Sequence, residues 1–70
     1  MTPSRWLDIG NGERSAILEH PERVDGYQHL RVRPWPDGRF EYSVQGERRG
    51  FAATMAEAKD AAVTFAQSQI

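Results

Sequence analysis

Apolar and polar side chains alternate strictly through much of residues 27–45, and this is the clearest pattern in the chain. Its apolar members are Leu30, Val32, Phe40, Tyr42 and Val44. Alternation of this kind is typical of antiparallel strands that bury one face. Between the two runs, Pro36-Asp37-Gly38 suits a three-residue hairpin loop, with proline for a type I turn and glycine for a left-handed position. The segment therefore predicts a β-hairpin.

The loop length fixes which residues of this hairpin lie opposite each other. The predicted pairs are Leu30 with Val44, Val32 with Tyr42, Arg33 with Glu41, and Trp35 with Arg39. Apolar side chains then meet on one face, and a guanidinium group meets a carboxylate on the other. On that second face Trp35 can stack on Arg39.

The end of the chain has the pattern of an amphipathic helix. Thr54 and Glu57 have the spacing of a capping box, with threonine as the N-cap residue. The residues that follow place one stripe on a common side: Met55, Ala58, Ala62, Phe65 and Ala66. Because the stripe is mostly alanine, the helix should approach its neighbour closely, with Phe65 as the large anchor. If Phe65 is buried, its replacement by alanine should cost about 3–5 kcal/mol.

Two weaker patterns complete the predicted fold. Gly46-Glu47 can turn the chain into a further strand, which would set Tyr42 opposite Phe51 and turn Arg49 inward. Residues 5–9 and 14–19 read as a hairpin around an Asn-Gly turn, followed by a loop over residues 20–26. The predicted fold class is α+β: a small antiparallel β-meander of three to five strands, with one C-terminal helix packed on one face. We expect residues 1–70 to form a single domain.

Size and composition limit the function classes. The chain has 70 residues, a formal net charge of -1 and no cysteine, which excludes disulfides and thiolate zinc sites. It has no apolar run of the length a membrane span needs and no recognisable secretory signal, so we expect a cytoplasmic protein without a membrane partner. A core this small can hardly spare a deep pocket. We therefore expect neither enzymatic activity nor a cofactor.

The residues that could carry chemistry have no convincing arrangement. His20 and His29 are separated by a proline-bearing segment, and although Glu19 and Asp25 could complete a metal site, surface histidines are the preferred interpretation. The serines lack a surrounding nucleophile motif. Gly10-Asn11-Gly12 fits a hairpin turn better than a phosphate-binding loop. We expect no catalytic and no metal-binding residues.

A surface remains as the candidate functional feature. Residues 31–49 hold five arginines against three acidic residues and form the one basic stretch of the chain. The predicted partner-binding residues are Arg31, Arg33, Trp35, Arg39 and Arg48. One helix can cover one face of a small sheet, so most of these side chains should stay exposed, and exposed tryptophan and arginine are enriched at binding hot spots. In the alternative, Trp35 packs over its turn prolines and the arginines pair with Glu41 and other acids.

The second half of the chain resembles a known class of domain. Arg31-Val32-Arg33, the strand over residues 39–45, and Gly50-Phe51 leading into Thr54–Ala58 are similar to the arm-site DNA-binding domain of phage-type tyrosine integrases and to the plant AP2 domain. The resemblance covers about the last 45 residues. It implies a three-stranded sheet whose open face lies in the major groove of DNA. This chain is less basic than those domains, with a pI of about 6.1.

Two functions follow from these observations. The preferred one is a small non-catalytic protein-binding module with an acidic protein partner, which acts by occluding that partner; phage- or mobile-element-encoded inhibitors have a similar size. The alternative is a DNA-binding domain that uses the same arginine and tryptophan side chains.

Overall fold

The computed structural model describes residues 3–19 and 26–68, which form an antiparallel sheet followed by one helix. The elements are β1 (Leu7–Gly10), β2 (Glu13–Glu19), β3 (Tyr27–Pro34), β4 (Phe40–Val44), β5 (Glu47–Ala52) and α1 (Met55–Gln67). The strands lie side by side in chain order. The predicted α+β meander with a C-terminal helix is confirmed. The loop predicted over residues 20–26 lies outside the described residues except for Gly26.

The central hairpin has the predicted register. Val32 lies opposite Tyr42 and Leu30 opposite Val44. At the turn, the Gly38 amide donates to the Trp35 carbonyl at 3.0 Å, and Gly38 has a φ of 92°, which an L side chain rarely adopts. A type I turn followed by a left-handed glycine therefore sets the pairing, as the loop composition predicted.

The N-terminal hairpin also forms around the predicted turn. Asn11 and Gly12 both have positive φ, of 56° and 75°, which matches the twist of a two-residue hairpin loop. The ladder places Leu7 opposite Ser15 and shifts between Asp8 and Gly10, so that the strand bulges there. This settles a register that the sequence pattern left open.

The turn between β4 and β5 differs from the prediction by one residue. Gln45 and Gly46, not Gly46 and Glu47, occupy the loop, with φ values of 58° and 80°. A bulge then shifts the ladder, so Tyr42 lies opposite Gly50 and Phe51 lies opposite Glu41. The predicted pairing of Tyr42 with Phe51 is therefore wrong. Because cross-strand partners share a face of the sheet, Phe51 points to the same side as Glu41.

The helix begins and packs as its pattern predicts. The Thr54 hydroxyl oxygen accepts a hydrogen bond from the Glu57 amide at 3.1 Å, which caps the first turn. Ala58, Ala62 and Ala66 are fully buried. Phe65 is only half-buried, because it lies at the margin of the helix–sheet interface beneath the guanidinium group of Arg49. The full-burial cost of about 3–5 kcal/mol therefore does not apply to its replacement by alanine.

One side of the sheet, which we call the helix face, holds the core. Leu18, Leu30 and Val44 pack there against Ala62 and Ala66 of α1, and the partly buried Trp6 joins them. Among the described residues, no helix combines the length and the apolarity that crossing a bilayer requires.

Candidate functional site

The opposite side of the sheet carries most of the polar side chains singled out in the sequence. We call it the open face and define it by residues that alternate with the core positions or pair across the ladder with them. It carries Glu13, Ser15, Ile17 and Glu19 of β2, Tyr27, His29, Arg31 and Arg33 of β3 with Trp35 beyond it, Glu41 and Ser43 of β4, and Arg48 and Phe51 of β5. Arg39 joins it at the turn, where its guanidinium carbon lies 4.1 Å from the centroid of the Phe51 ring. The five predicted partner-binding residues are therefore brought to one side of the molecule.

Glu41 lies at the centre of this face and is 6% exposed. Its Oε2 accepts from Arg48 Nε at 2.6 Å, and from Arg33 Nη2 and the Trp35 indole Nε1 at 3.3 Å each. We call these four side chains the Glu41 cluster. Three donors on one desolvated carboxylate compensate for the water that burial removes.

The electrostatics of Glu41 follow from these contacts. Burial by itself would raise the pKa of the Glu41 carboxyl, because the charged form loses solvation. The hydrogen bond from Arg48 and the charges of Arg33 and Arg48 act in the opposite direction and outweigh burial, so the pKa lies below its ordinary value. Glu41 is therefore ionised at neutral pH and holds two guanidinium groups in place.

Two aromatic rings pack among these arginines. Trp35 and Phe51 meet edge to face, with ring centroids 5.3 Å apart. The guanidinium carbon of Arg48 lies 5.1 Å from the Trp35 ring centroid, and that of Arg33 lies 5.9 Å from it. Arg39 contacts Phe51 instead, so the predicted stacking of Arg39 on Trp35 is wrong. The reason is the bulge in β5, which brings Phe51 to the open face.

The other two predicted arginines have ion-pair partners of their own. Arg31 Nη2 lies 3.0 Å from Glu13 Oε1, and Arg39 Nε lies 2.7 Å from Asp37 Oδ2. The Asp37 carboxylate also accepts from the Arg39 backbone amide at 3.0 Å; this bond and the contact with the Arg39 side chain lower the pKa of Asp37. The alternative expectation, that the arginines pair with acids, is correct for Arg31, Arg33, Arg39 and Arg48. The same alternative placed Trp35 over the prolines of its turn, whereas in the structure Trp35 packs against Phe51.

An open depression of about 460 Å³ lies beside the Glu41 cluster. Its lining includes Ser15, Arg31, Arg33, Glu41, Ser43 and Arg48. Three guanidinium groups, two hydroxyl groups and one neutralised carboxylate thus surround a single hollow in the sheet surface. Chemically, this arrangement offers many more hydrogen-bond donors than acceptors.

The sequence interpretation missed two polar contacts that shape the sheet. Gln28 is buried on the helix face, where its side-chain amide donates to the Ala66 carbonyl at 2.9 Å near the end of α1. Gln45 accepts from the His29 amide through its side chain at 2.6 Å. Gln28 lies two residues before Leu30 and four before Val32, so strand alternation places it on the same face as these core residues and indicates its burial. No local signal in the sequence indicates the bond made by Gln45.

Two of the four possible metal ligands, Glu19 and His29, lie within the described residues. His20 and Asp25, named above as possible ligands, lie outside the described residues. Within residues 3–19 and 26–68, no group of three or more histidine, cysteine, aspartate or glutamate side chains is placed to hold a metal ion.

Comparisons with known proteins place the chain in no family. No family model, curated protein sequence or solved structure matches the chain.

Proposed function

We propose that this protein is a non-catalytic protein-binding module whose contact surface is the open face, and that it acts by covering a surface of its partner. The observation that carries the proposal is the contrast between the two sides of the sheet. Helix α1 covers the helix face with buried alanines, whereas the open face presents exposed arginine side chains around the partly buried rings of Trp35 and Phe51. Tryptophan and arginine are the residue types most enriched where binding energy concentrates.

The preorganisation of these side chains supports the proposal. Arg48 is 52% exposed, yet its Nε is fixed on Glu41 and its guanidinium group lies near two rings. A long side chain that is already held in one position loses less conformational entropy when a partner binds. The Glu41 cluster is thus better suited to a defined protein contact than to loose electrostatic attraction.

The charge balance of the open face favours a protein over a nucleic acid. Within its ion pairs, four arginines, Arg31, Arg33, Arg39 and Arg48, share the three carboxylates of Glu13, Asp37 and Glu41, and 4 − 3 leaves an excess of one positive charge. Glu19, exposed on the same face, lowers the balance of the whole face further. Non-specific affinity for DNA requires the neutralisation of several phosphates. DNA binding, which the resemblance to integrase arm-site domains implies, therefore remains the competing proposal. The single excess positive charge within the ion pairs fits a mildly acidic patch on a protein.

Site-specific photo-crosslinking tests the proposed surface. A photoreactive amino acid replaces Ser43 on the open face in one variant and Asp60, an exposed residue of α1, in the control. In lysate of cells that naturally contain the protein, we expect a discrete protein adduct from position 43 that excess unlabelled wild-type protein abolishes, and none from position 60. Equal labelling from both positions would overturn the proposal. Adducts to DNA at position 43, with duplex affinity that falls steeply with salt, would support the competing function instead.

A further inference from the structure

We infer that the depression beside the Glu41 cluster is a receptor for one carboxylate side chain, an aspartate or a glutamate, of the protein partner. This inference rests on the proposed function and names the chemistry that its central contact recognises. Arg31, Arg33 and Arg48 all line the depression. Guanidinium groups match carboxylates in shape and charge, and the match is best when the groups are held in place beforehand.

The donors of these arginines are only partly used within the described part of the chain. Arg48 contacts Glu41 through Nε, and Arg33 contacts it through Nη2. A guanidinium group has five N–H donors, and one carboxylate engages at most two of them in a fork. Donors therefore remain on both arginines after Glu41 is bound. Arg31, which is 51% exposed and contacts Glu13 through Nη2, adds a third such group.

Glu41 positions the receptor and does not fill it. The carboxylate is almost fully buried at the base of the open face, with its three donors around it. By holding Arg33 and Arg48 together, it overcomes the repulsion that two neighbouring cations would otherwise feel. Glu41, Arg33 and Arg48 all line the depression, so an external carboxylate would meet guanidinium groups that the internal carboxylate already holds.

The charge count distinguishes a carboxylate from a phosphate. Arg31 and Glu13 cancel each other, and Arg33 with Arg48 exceed Glu41 by one charge: 3 − 2 gives an excess of one. A side-chain carboxylate carries one negative charge and balances that excess. A phosphate monoester carries about −1.5 to −2 at neutral pH and would leave the site negative. The volume of about 460 Å³ also accommodates a whole glutamate side chain with adjacent backbone.

A titration followed by NMR of the arginine side chains tests the inference. The probe is the α-amide of N-acetylglutamate, which has a single carboxylate, and the matched neutral probe is the α-amide of N-acetylglutamine. We expect saturable shifts of the Nε–H signals of Arg31, Arg33 and Arg48 with the first probe and none with the second. Inorganic phosphate and a short DNA duplex form the other two arms. Tighter binding of either one, or equal responses to the glutamate and glutamine probes, would overturn the assignment.

Two variants provide the matched control. Arg31→Gln removes one guanidinium group from the depression, and Arg14→Gln removes one from the helix face. Arg14, like Arg31, forms an ion pair, with Nη1 3.3 Å from Asp8 Oδ1. We expect Arg31→Gln to weaken binding of the glutamate probe about tenfold, which corresponds to about 1.4 kcal/mol, and Arg14→Gln to leave it unchanged. Equal effects of the two variants would show that the net charge of the protein, and not the depression, determines the affinity for the glutamate probe.

The two proposals fail in distinguishable ways. If crosslinks form from position 43 but the glutamate probe shifts no arginine signal, the open face binds a partner without a carboxylate receptor, and the inference is wrong by itself. If neither crosslinks nor duplex binding occur while the probe binds saturably at Arg31, Arg33 and Arg48, the depression is an anion site and the protein-binding function is wrong. An acidic residue of the partner at the crosslinked position, whose neutralisation abolishes binding, would support both.

Discussion

Glu41 is the residue on which the geometry of the open face depends. Its side chain is 8% exposed, whereas the side chains of Arg33 and Arg48 are 41% and 52% exposed. The two guanidinium groups therefore keep much of their contact with water, whereas the carboxylate keeps little. Loss of the carboxylate charge should therefore weaken the fold moderately and loosen both arginines.

We expect Glu41→Gln to lower the free energy of unfolding at pH 7 by about 1.5–3 kcal/mol, the range for hydrogen bonds to a charged group. Glu47→Gln is the matched control, because Glu47 pairs with Arg49 at 3.1 Å but its side chain is 72% exposed. An exposed ion pair contributes about 0–1 kcal/mol. Urea unfolding of the three proteins measures the difference. Equal losses in both variants would contradict the central role of Glu41.

We also expect the stability difference between wild type and Glu41→Gln to depend on pH. Because the pKa of Glu41 is lower in the folded chain than in the unfolded chain, its contribution to stability is complete above the unfolded value of about 4.5. That contribution disappears as the pH falls through the folded value. The stability gap between wild type and Glu41→Gln should therefore be constant from pH 7 to about pH 5 and shrink below about pH 4. A gap that widens on acidification would contradict the assigned direction of the shift.

At the scale of elements, the β4–β5 pair decides which side chains reach the open face. The bulge after Arg48 lets Arg48 and Phe51 point to the open face, while Arg49 turns toward α1, with its guanidinium carbon 4.7 Å from the Phe65 ring centroid. The inward direction of Arg49 is thus as predicted. The pairing requires Gly50, because an added Cβ would lie 2.6 Å from the Tyr42 hydroxyl oxygen and 2.9 Å from Cζ. The Tyr42 ring lies over Gly50 on the helix face and occupies the space that a side chain at position 50 would need.

We expect Gly50→Ala to destabilise the protein by about 1–3 kcal/mol, the usual cost of forcing an extra carbon into a packed site. In a Tyr42→Leu background, which removes the ring, the same substitution should cost clearly less. A double-mutant cycle by urea unfolding measures the coupling between the two sites. Additive effects would show that the ring does not constrain residue 50, and would contradict the described packing.

How far the sequence predicted these elements depended on local chemistry. The hairpin around Gly38 and the capped alanine-rich helix followed from alternation, turn residues and a cap, all of which act over a few residues. The register of β5 did not, because Gln45 adopts a positive φ that glycine adopts more readily, and the bulge depends on contacts across the sheet. Consequently Arg33 was correctly paired with Glu41, but the contact of Arg48 with Glu41 and that of Phe51 with Trp35 were not predicted.

At the scale of the whole molecule, α1 covers one side of the sheet and leaves the other side open. One helix covers the helix face of β3, β4 and β5, and its buried alanines allow close approach. The open face carries the side chains that, in our proposal, contact the partner protein. Toward the other edge, β1 exposes Leu7 and Ile9, which are 56% and 50% exposed. Substitutions of exposed open-face residues, unlike those of the buried Glu41, should therefore change binding while the fold persists.

Affinity for the purified crosslinked partner tests this division most directly. Ser43→Trp fills the depression without removing a member of the Glu41 cluster, and Thr64→Trp places the same side chain on the exposed side of α1. With both variants folded as judged by backbone NMR spectra, we predict at least a tenfold loss of affinity, about 1.4 kcal/mol or more, for Ser43→Trp and wild-type affinity for Thr64→Trp. Unchanged affinity of Ser43→Trp, or an equal loss in Thr64→Trp, would contradict the assignment of the open face as the binding surface.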